Sequence, residues 1–392
     1  MPVPFCHFGN WCRFSFAKKD PVPIETCQKR PGPNWNWHIV IFNKQHKYTL
    51  DMKEILSIVL VIIGALIGAG FASGQEIYSF FYAYGEKGII GIIVTSTLTS
   101  VLIYKTLKMV CQNEITTYNE FLGLFIKNKK ITKIINIVLN ILLLISFYIM
   151  IAGFGAYFEQ EMKINKIIGS LILAILCAII FFTSVKGVLK VSSYIVPILI
   201  ISIILIGTIA ISTSPINITQ IPVHKKMWLI SAITYCSYNL ILLIPVLISL
   251  REHIKSEKSI KYIAIITGII MLILSSIIFF ILTKTNVDIK TLEMPIVYII
   301  RNYYPKLQPL YAFIILSSIF TTAISVGIGF LQNIMGENKK SYTQFVLIMC
   351  ISSLLISNFG FSKLVNFAYP FFGYLGIIQI LNILYSKKCC KK

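Results

Sequence analysis

From Ile55 onward the chain is a succession of apolar runs separated by short polar, lysine-bearing loops. The runs fall at about 55–84, 88–104, 134–158, 167–185, 191–211, 227–250, 262–283, 307–335, 342–362 and 364–386. A helix needs roughly 17–25 apolar residues to cross a hydrocarbon core about 30 Å thick. The pattern therefore predicts an all-α polytopic membrane protein with about ten transmembrane helices.

The first run is irregular. Ile55–Ile67 is almost purely aliphatic, but Gly68, Gly70 and Gly74 follow, with Ser73, Gln75 and Glu76 among them, before apolar and aromatic residues resume. As one helix, residues 55–84 would rise about 45 Å, more than the bilayer requires. A glycine-rich, carboxylate-bearing interruption is tolerated at membrane depth only against protein or a water-filled cavity. The first helix is expected to be broken there, beside a site.

Two further runs carry clustered polar residues. The sixth, 227–250, gathers Ser231, Thr234, Tyr235, Ser237, Tyr238 and Asn239 near its centre, with Pro245 beyond, and is read as a second broken helix. Segments 52–211 and 222–386 are of nearly equal length, hold five runs each, and each open on an interrupted one. That arrangement predicts a 5+5 inverted repeat with a site where the breaks meet. In the eighth run, Ser318, Thr321, Thr322 and Ser325 are spaced i, i+3, i+4, i+7, which puts four hydroxyls on one helical face. Hard oxygen ligands of this kind suit a small alkali cation. Serine and threonine also bond their own helix's carbonyls, which is the plain alternative.

Composition agrees with the pattern: 56% of the 392 residues are hydrophobic, 13% are charged, and mean hydropathy is +0.78. The formal charge of +21 is spread over many short loops, which argues for topology and anionic lipid, and against a nucleic-acid partner. With ten spans, the loops on the side of both termini hold 19 Lys and Arg from Lys53 onward, against 10 opposite. The positive-inside rule makes the richer side cytoplasmic and the protein a multi-pass resident of the plasma (inner) membrane. The basic tail 387–392 belongs to that side.

Residues 1–51 stand outside this scheme. They are rich in Pro, Trp and Cys, lack an apolar signal core, and are expected to form a poorly ordered extension, with Met52 standing directly before the first span. Cys6, Cys12 and Cys27 with His7 and His38 match no zinc spacing. No phosphate-binding, zinc-protease or nucleophile-elbow motif occurs, and none of the five histidines is mid-span, so an enzyme is not expected and no cofactor is implied beyond a possible Na⁺ ion.

The segment GALIGAGFASGQE, followed by a ten-span body, resembles the YkvI-type family of bacterial membrane proteins and, more distantly, the amino acid–polyamine–organocation superfamily with its LeuT-like five-plus-five fold. The resemblance covers residues 52–386. It implies secondary transport by alternating access. In sodium-coupled members of the superfamily, an ion is held by two first-span carbonyls and by small or hydroxyl residues of the eighth span. These fall here on Gly64 and Ile67, and on Ser318, Thr321 and Thr322. Substrate contacts fall on the first break, Ala69, Gly70, Phe71 and Ser73, with Glu76 beside it, and on the sixth span at Thr234, Tyr235, Tyr238 and Asn239.

Glu76 has two readings. An intramembrane carboxylate is a site candidate for proton coupling or for pairing with a solute amine. Equally, Ser73-Gly74-Gln75-Glu76 has the S-x-x-E form of a capping box. The segment 287–306 is read either as an outer lid, as in transporters that the chain resembles, or as an interfacial anchor. The functional expectation is a Na⁺- or H⁺-coupled secondary transporter of a small polar solute, an amino acid or a related amine or carboxylate. The alternative is a transporter-like sensor that binds a nutrient without moving it.

Overall fold

A computed structural model describes residues 52–212, 226–283, 294–335, 341–356 and 361–385. The N-terminal extension and the basic tail lie outside the described residues. So does most of the 287–306 segment before Met294.

The described residues are almost all helical. The first run is split into α1 (Met52–Leu66), α2 (Ala69–Ala72) and α3 (Gln75–Ile77), followed by a π-helical turn at Tyr78–Tyr82. Then come α4 (Lys87–Gln112), the short α5 (Tyr118–Gly123), α6 (Lys129–Met162), α7 (Lys166–Phe182) and α8 (Ser184–Ser212). The second half holds α9 (Trp228–Ser249), α10 (Glu257–Leu282), the short α11 (Pro295–Tyr303), α12 (Gln308–Met335), α13 (Tyr342–Ile356) and α14 (Phe361–Tyr385). All ten expected spans are present as helices, five on each side of the 213–225 connection. Six of them are long and apolar enough to cross a membrane, and three shorter apolar helices accompany them.

Helix ends follow local chemistry. Thr117 caps α5 by accepting from the Glu120 N–H, and the Glu120 carboxylate accepts in return from the Thr116 N–H and hydroxyl, close to a capping box. Asn128, Asn165 and Ser256 cap α6, α7 and α10 with their side-chain oxygens. α5 is two-faced: Tyr118, Phe121 and Leu122 are buried in the protein, while Asn119 and Glu120 are exposed.

The bundle is organised around α1 and α12, which are buried at most positions from Ile58 to Leu66 and from Ile314 to Leu331. They pack on each other and on α8 and α9; α6 lines the other side of α12, while α10 pairs with α4 and α14 with α9. The outer helices expose one aliphatic face each, for example Leu171, Ile175 and Ile179 on α7, Ile198 and Ile201 on α8, and Ile348 and Ile351 on α13. Water would penalise such faces, whereas a bilayer's hydrocarbon is their natural solvent.

One expectation about the sixth span is corrected. α9 is a single continuous helix from Trp228 to Ser249, with Pro245 accommodated inside it. Its polar residues do not unwind it because they bond their own turns. Thr234 and Ser237 donate to the Ile230 and Ile233 carbonyls, and the Asn239 amide donates to the Tyr235 carbonyl, all at i−4. The first span has no such recourse: glycines supply no side chain to bond or pack, and the chain leaves the helix there.

Candidate functional site

In α1 the last helical bond runs from the Ile67 N–H to the Ile63 carbonyl at 2.9 Å. Gly68 then adopts an extended conformation (φ −88°, ψ −172°), so the carbonyls of Gly64 and Ile67 lose the N–H partners that a continuing helix would provide. The Thr322 hydroxyl of α12 meets both, 2.7 Å from the Gly64 oxygen and 3.0 Å from the Ile67 oxygen. A hydroxyl has one proton to share between them and keeps its own lone pairs. Three oxygens thus converge on one buried point. This donor set is chemically suited to a small hard cation, because rotating the hydroxyl proton away turns all three oxygens into ligands.

Two neighbouring hydroxyls are arranged differently. Ser318 donates to the Ile315 carbonyl at 2.8 Å, and Thr321 to the carbonyls of Ser317 and Ser318 at 3.0 and 3.2 Å. Both are fully buried on the face that meets α1, where Thr321 packs against Gly64. The fourth member of the stripe, Ser325, donates to the Thr321 carbonyl at 2.7 Å. The four-hydroxyl face exists as expected from its spacing; of its members, Thr322 reaches across to the break.

Thr322 also lines a small cavity of about 30 Å³ between the broken first span, α6, α9 and α12. Its polar lining is Glu76, Ser146, Tyr238, Asn239 and Thr322, with Gly68 at the break, and Met150 and Leu243 are among its apolar walls. That volume holds one or two waters or a small cation. Solutes of amino-acid size require the surrounding elements to move apart.

Among the expected substrate contacts, Glu76, Tyr238 and Asn239 face this cavity. Ala69, Gly70, Phe71 and Ser73 are buried in the break beside it. Thr234 turns toward α14, where it packs on Gly373. Tyr235 sits under an aromatic cluster with Phe80, Phe81 and Tyr238. Ser146 and Met150 of α6 are additions to the expected set. A single serine inside an otherwise apolar run gave no spacing signal.

Glu76 is 2% exposed. Its side chain folds back over Gly70, where any Cβ would collide with the carboxylate. The hydroxyls of Tyr238 and Tyr235 approach it. The capping-box reading is corrected here. Ser73 ends α2, its hydroxyl donates to the Gly70 carbonyl at 3.1 Å, and it accepts from Gln75 rather than Glu76. The N-cap of α3 is Gly74, at φ +81°, a left-handed conformation that glycine adopts without strain.

Separate contact sets tie the surrounding helices together at their two ends. On the side away from the termini, α11 lies on the break. The Ile296 N–H donates to the Ser73 carbonyl at 3.0 Å, the Ile296 side chain rests against Gly74, and the Tyr311 hydroxyl donates to the Ala72 carbonyl. Arg301 and Gln308 both reach Glu161 at the end of α6. This docking supports the lid reading of the segment. On the side of the termini, the Asn333 amide of α12 donates to Asn136 and Asn140 of α6, both at 2.8 Å, while its oxygen accepts from the Tyr118 N–H. The Tyr118 hydroxyl in turn donates to Gln379 of α14 at 3.2 Å.

No family model matches the chain. It is 31% identical over 335 residues to the uncharacterized membrane protein YkvI of Bacillus subtilis (strain 168), covering 85% of this chain and 94% of that protein. It is 24% identical over 340 residues to the uncharacterized protein YyaD of the same strain, covering 83% and 94%. Among solved structures, MhsT in complex with L-phenylalanine matches with a TM-score of 0.57 at 16% identity, over 86% of this chain and 92% of that one. At that identity the likeness concerns the fold, which is LeuT-like.

Proposed function

We propose that this chain, which belongs to the YkvI family of membrane proteins, is a secondary transporter that moves a small polar solute by alternating access and couples it to Na⁺. The carrying observation is the convergence of the Gly64 and Ile67 carbonyls on the Thr322 hydroxyl at the edge of a small cavity that Glu76, Ser146, Tyr238 and Asn239 also line. A helix unwound at membrane depth has a cost, and it is tolerated where it lines such a cavity. The sodium reading assigns Gly64, Ile67 and Thr322 as ligands, with Ser318 and Thr321 as the hydroxyl wall behind them.

The contacts at the two ends of the helices support alternating access. Separate contact sets hold the two ends: α11 on Ser73 and Gly74, and Asn333 with Asn136, Asn140 and Tyr118. Releasing one set while keeping the other exposes the cavity to one side at a time. The fold likeness to MhsT, a protein solved with L-phenylalanine, is consistent with an amino acid or a related solute. The lysine distribution supports a plasma-membrane orientation with both termini cytoplasmic.

The test is reconstitution of the full chain in liposomes with a panel of labelled amino acids and amines. An inward Na⁺ gradient should drive accumulation above equilibrium, and dissipating the gradient should abolish it. Binding without accumulation would instead support a nutrient sensor built on the same fold.

A further inference from the structure

Glu76 is a carboxylate buried within the first span, and its oxygen Oε2 has no hydrogen-bond partner among the described residues. The described ion pairs join Lys108 to Glu257, Lys255 to Glu54 and Arg301 to Glu161; none involves Glu76. Opposite it on α6, the Ser146 hydroxyl is 3% exposed and equally unpartnered. Both residues line the same small cavity. Asn239, also in the lining, donates one amide N–H to the Tyr235 carbonyl at 3.0 Å and retains a second N–H and an acceptor oxygen.

Beside the Tyr238 and Thr322 hydroxyls, the Glu76 carboxyl, the Ser146 hydroxyl and the Asn239 amide oxygen supply acceptors to a cavity whose walls are otherwise apolar. A buried carboxyl oxygen left without a donor is costly in a low-dielectric setting, and a cationic donor that reaches it favours the carboxylate form. An ammonium group supplies one positive charge, three donors and no acceptor. Its size is close to that of a water molecule, which the cavity volume admits.

We propose that Glu76, with Ser146 and Asn239, receives the ammonium group of the transported solute, so that the substrate class is small primary amines. This deepens the transporter reading and rests on it for the word substrate. Solutes that carry a carboxylate without an amine are rejected, because their charge would face Glu76 across the cavity. An amino acid is accepted through its amine, with its carboxylate directed away from Glu76. The sodium point at Gly64, Ile67 and Thr322 is a separate site.

The experiment measures binding to the purified full chain by thermal shift and by equilibrium dialysis, in sodium and in potassium buffers. The probes are matched pairs in which a hydroxyl replaces the amine: glycine and glycolate, L-alanine and L-lactate, ethanolamine and ethylene glycol. At least one amine should bind, and its hydroxyl counterpart should bind at least tenfold more weakly. Glu76→Gln should weaken the amine at least tenfold and Ser146→Ala severalfold, while Glu76→Asp restores part of the affinity. Ser146→Ala keeps the test decisive should Glu76→Gln fail to fold. The proposal is overturned if pairs bind alike, if no amine binds, if both variants keep full affinity, or if sodium alone gives the whole Glu76-dependent shift. Uptake separates the two readings. Glu76-dependent amine binding without accumulation leaves this inference standing and sinks transport. Accumulation indifferent to the amine does the reverse.

Discussion

Thr322 and Gly64 sit 258 positions apart in sequence, and the hydroxyl of one is 2.7 Å from the carbonyl oxygen of the other. The contact exists because the helix stops: only where α1 gives up its hydrogen-bond ladder does a carbonyl become available to a neighbouring helix.

Replacing Thr322 with Val keeps the shape and removes the oxygen. The Gly64 and Ile67 carbonyls then lose their shared partner, at a cost of about 1–3 kcal/mol for each buried group left unmade. The half-saturating Na⁺ concentration for uptake should rise at least tenfold, which corresponds to about 1.4 kcal/mol. Thr322→Ser should keep most of the sodium response. A sodium titration of uptake with both variants checks this.

Gly74 should tolerate no side chain. At φ +81° an L-residue is strained by roughly 1–2 kcal/mol. A Cβ there would also lie 2.5 Å from Ile296 Cγ1 of α11. Gly74→Ala should lower thermal stability, and adding Ile296→Ala should recover only part of the loss, since it relieves the collision and leaves the backbone strain. Melting temperatures of the single and double variants measure the two contributions separately.

Tyr311→Phe removes the donor to the Ala72 carbonyl between the break and α12. The outer closure should loosen, by about 1–3 kcal/mol for the orphaned buried acceptor. A cysteine introduced at Ser73 should then react faster with an impermeant thiol reagent added from outside, and hydrogen exchange at Ile296 should accelerate.

Asn333 holds the opposite end. Asn333→Ala leaves Asn136, Asn140 and the Tyr118 N–H short of a partner at once. The effect should favour opening toward the side of the termini, with faster hydrogen exchange in α5 and faster solute release in efflux assays. Asn136→Ala alone should have a smaller effect, because Asn140 still accepts from Asn333.

The first break was readable because glycine and a carboxylate inside an aliphatic run are costly in a membrane and leave a compositional mark. The α12 face was readable because helical spacing aligns hydroxyls. The sixth span misled because the same residue types, Thr234, Ser237 and Asn239, can satisfy themselves at i−4 inside an intact helix. Composition alone does not separate these outcomes. Ser146 was invisible as one hydroxyl among aliphatic residues, and it became a lining residue only through the packing of α6 against the break. Asn136 and Asn140, at i and i+4 on α6, carried a usable signal: two amides on one face of a span need a common partner, which proved to be Asn333.

The most direct measurement is the binding of radiolabelled sodium to the purified full chain, with Thr322→Val beside the unaltered protein. Sodium binding should be saturable, Thr322→Val should weaken it at least tenfold, or about 1.4 kcal/mol, and Glu76→Gln should leave it within about twofold. Equal sodium binding by the chain and by Thr322→Val would contradict the assignment of Thr322 as a ligand.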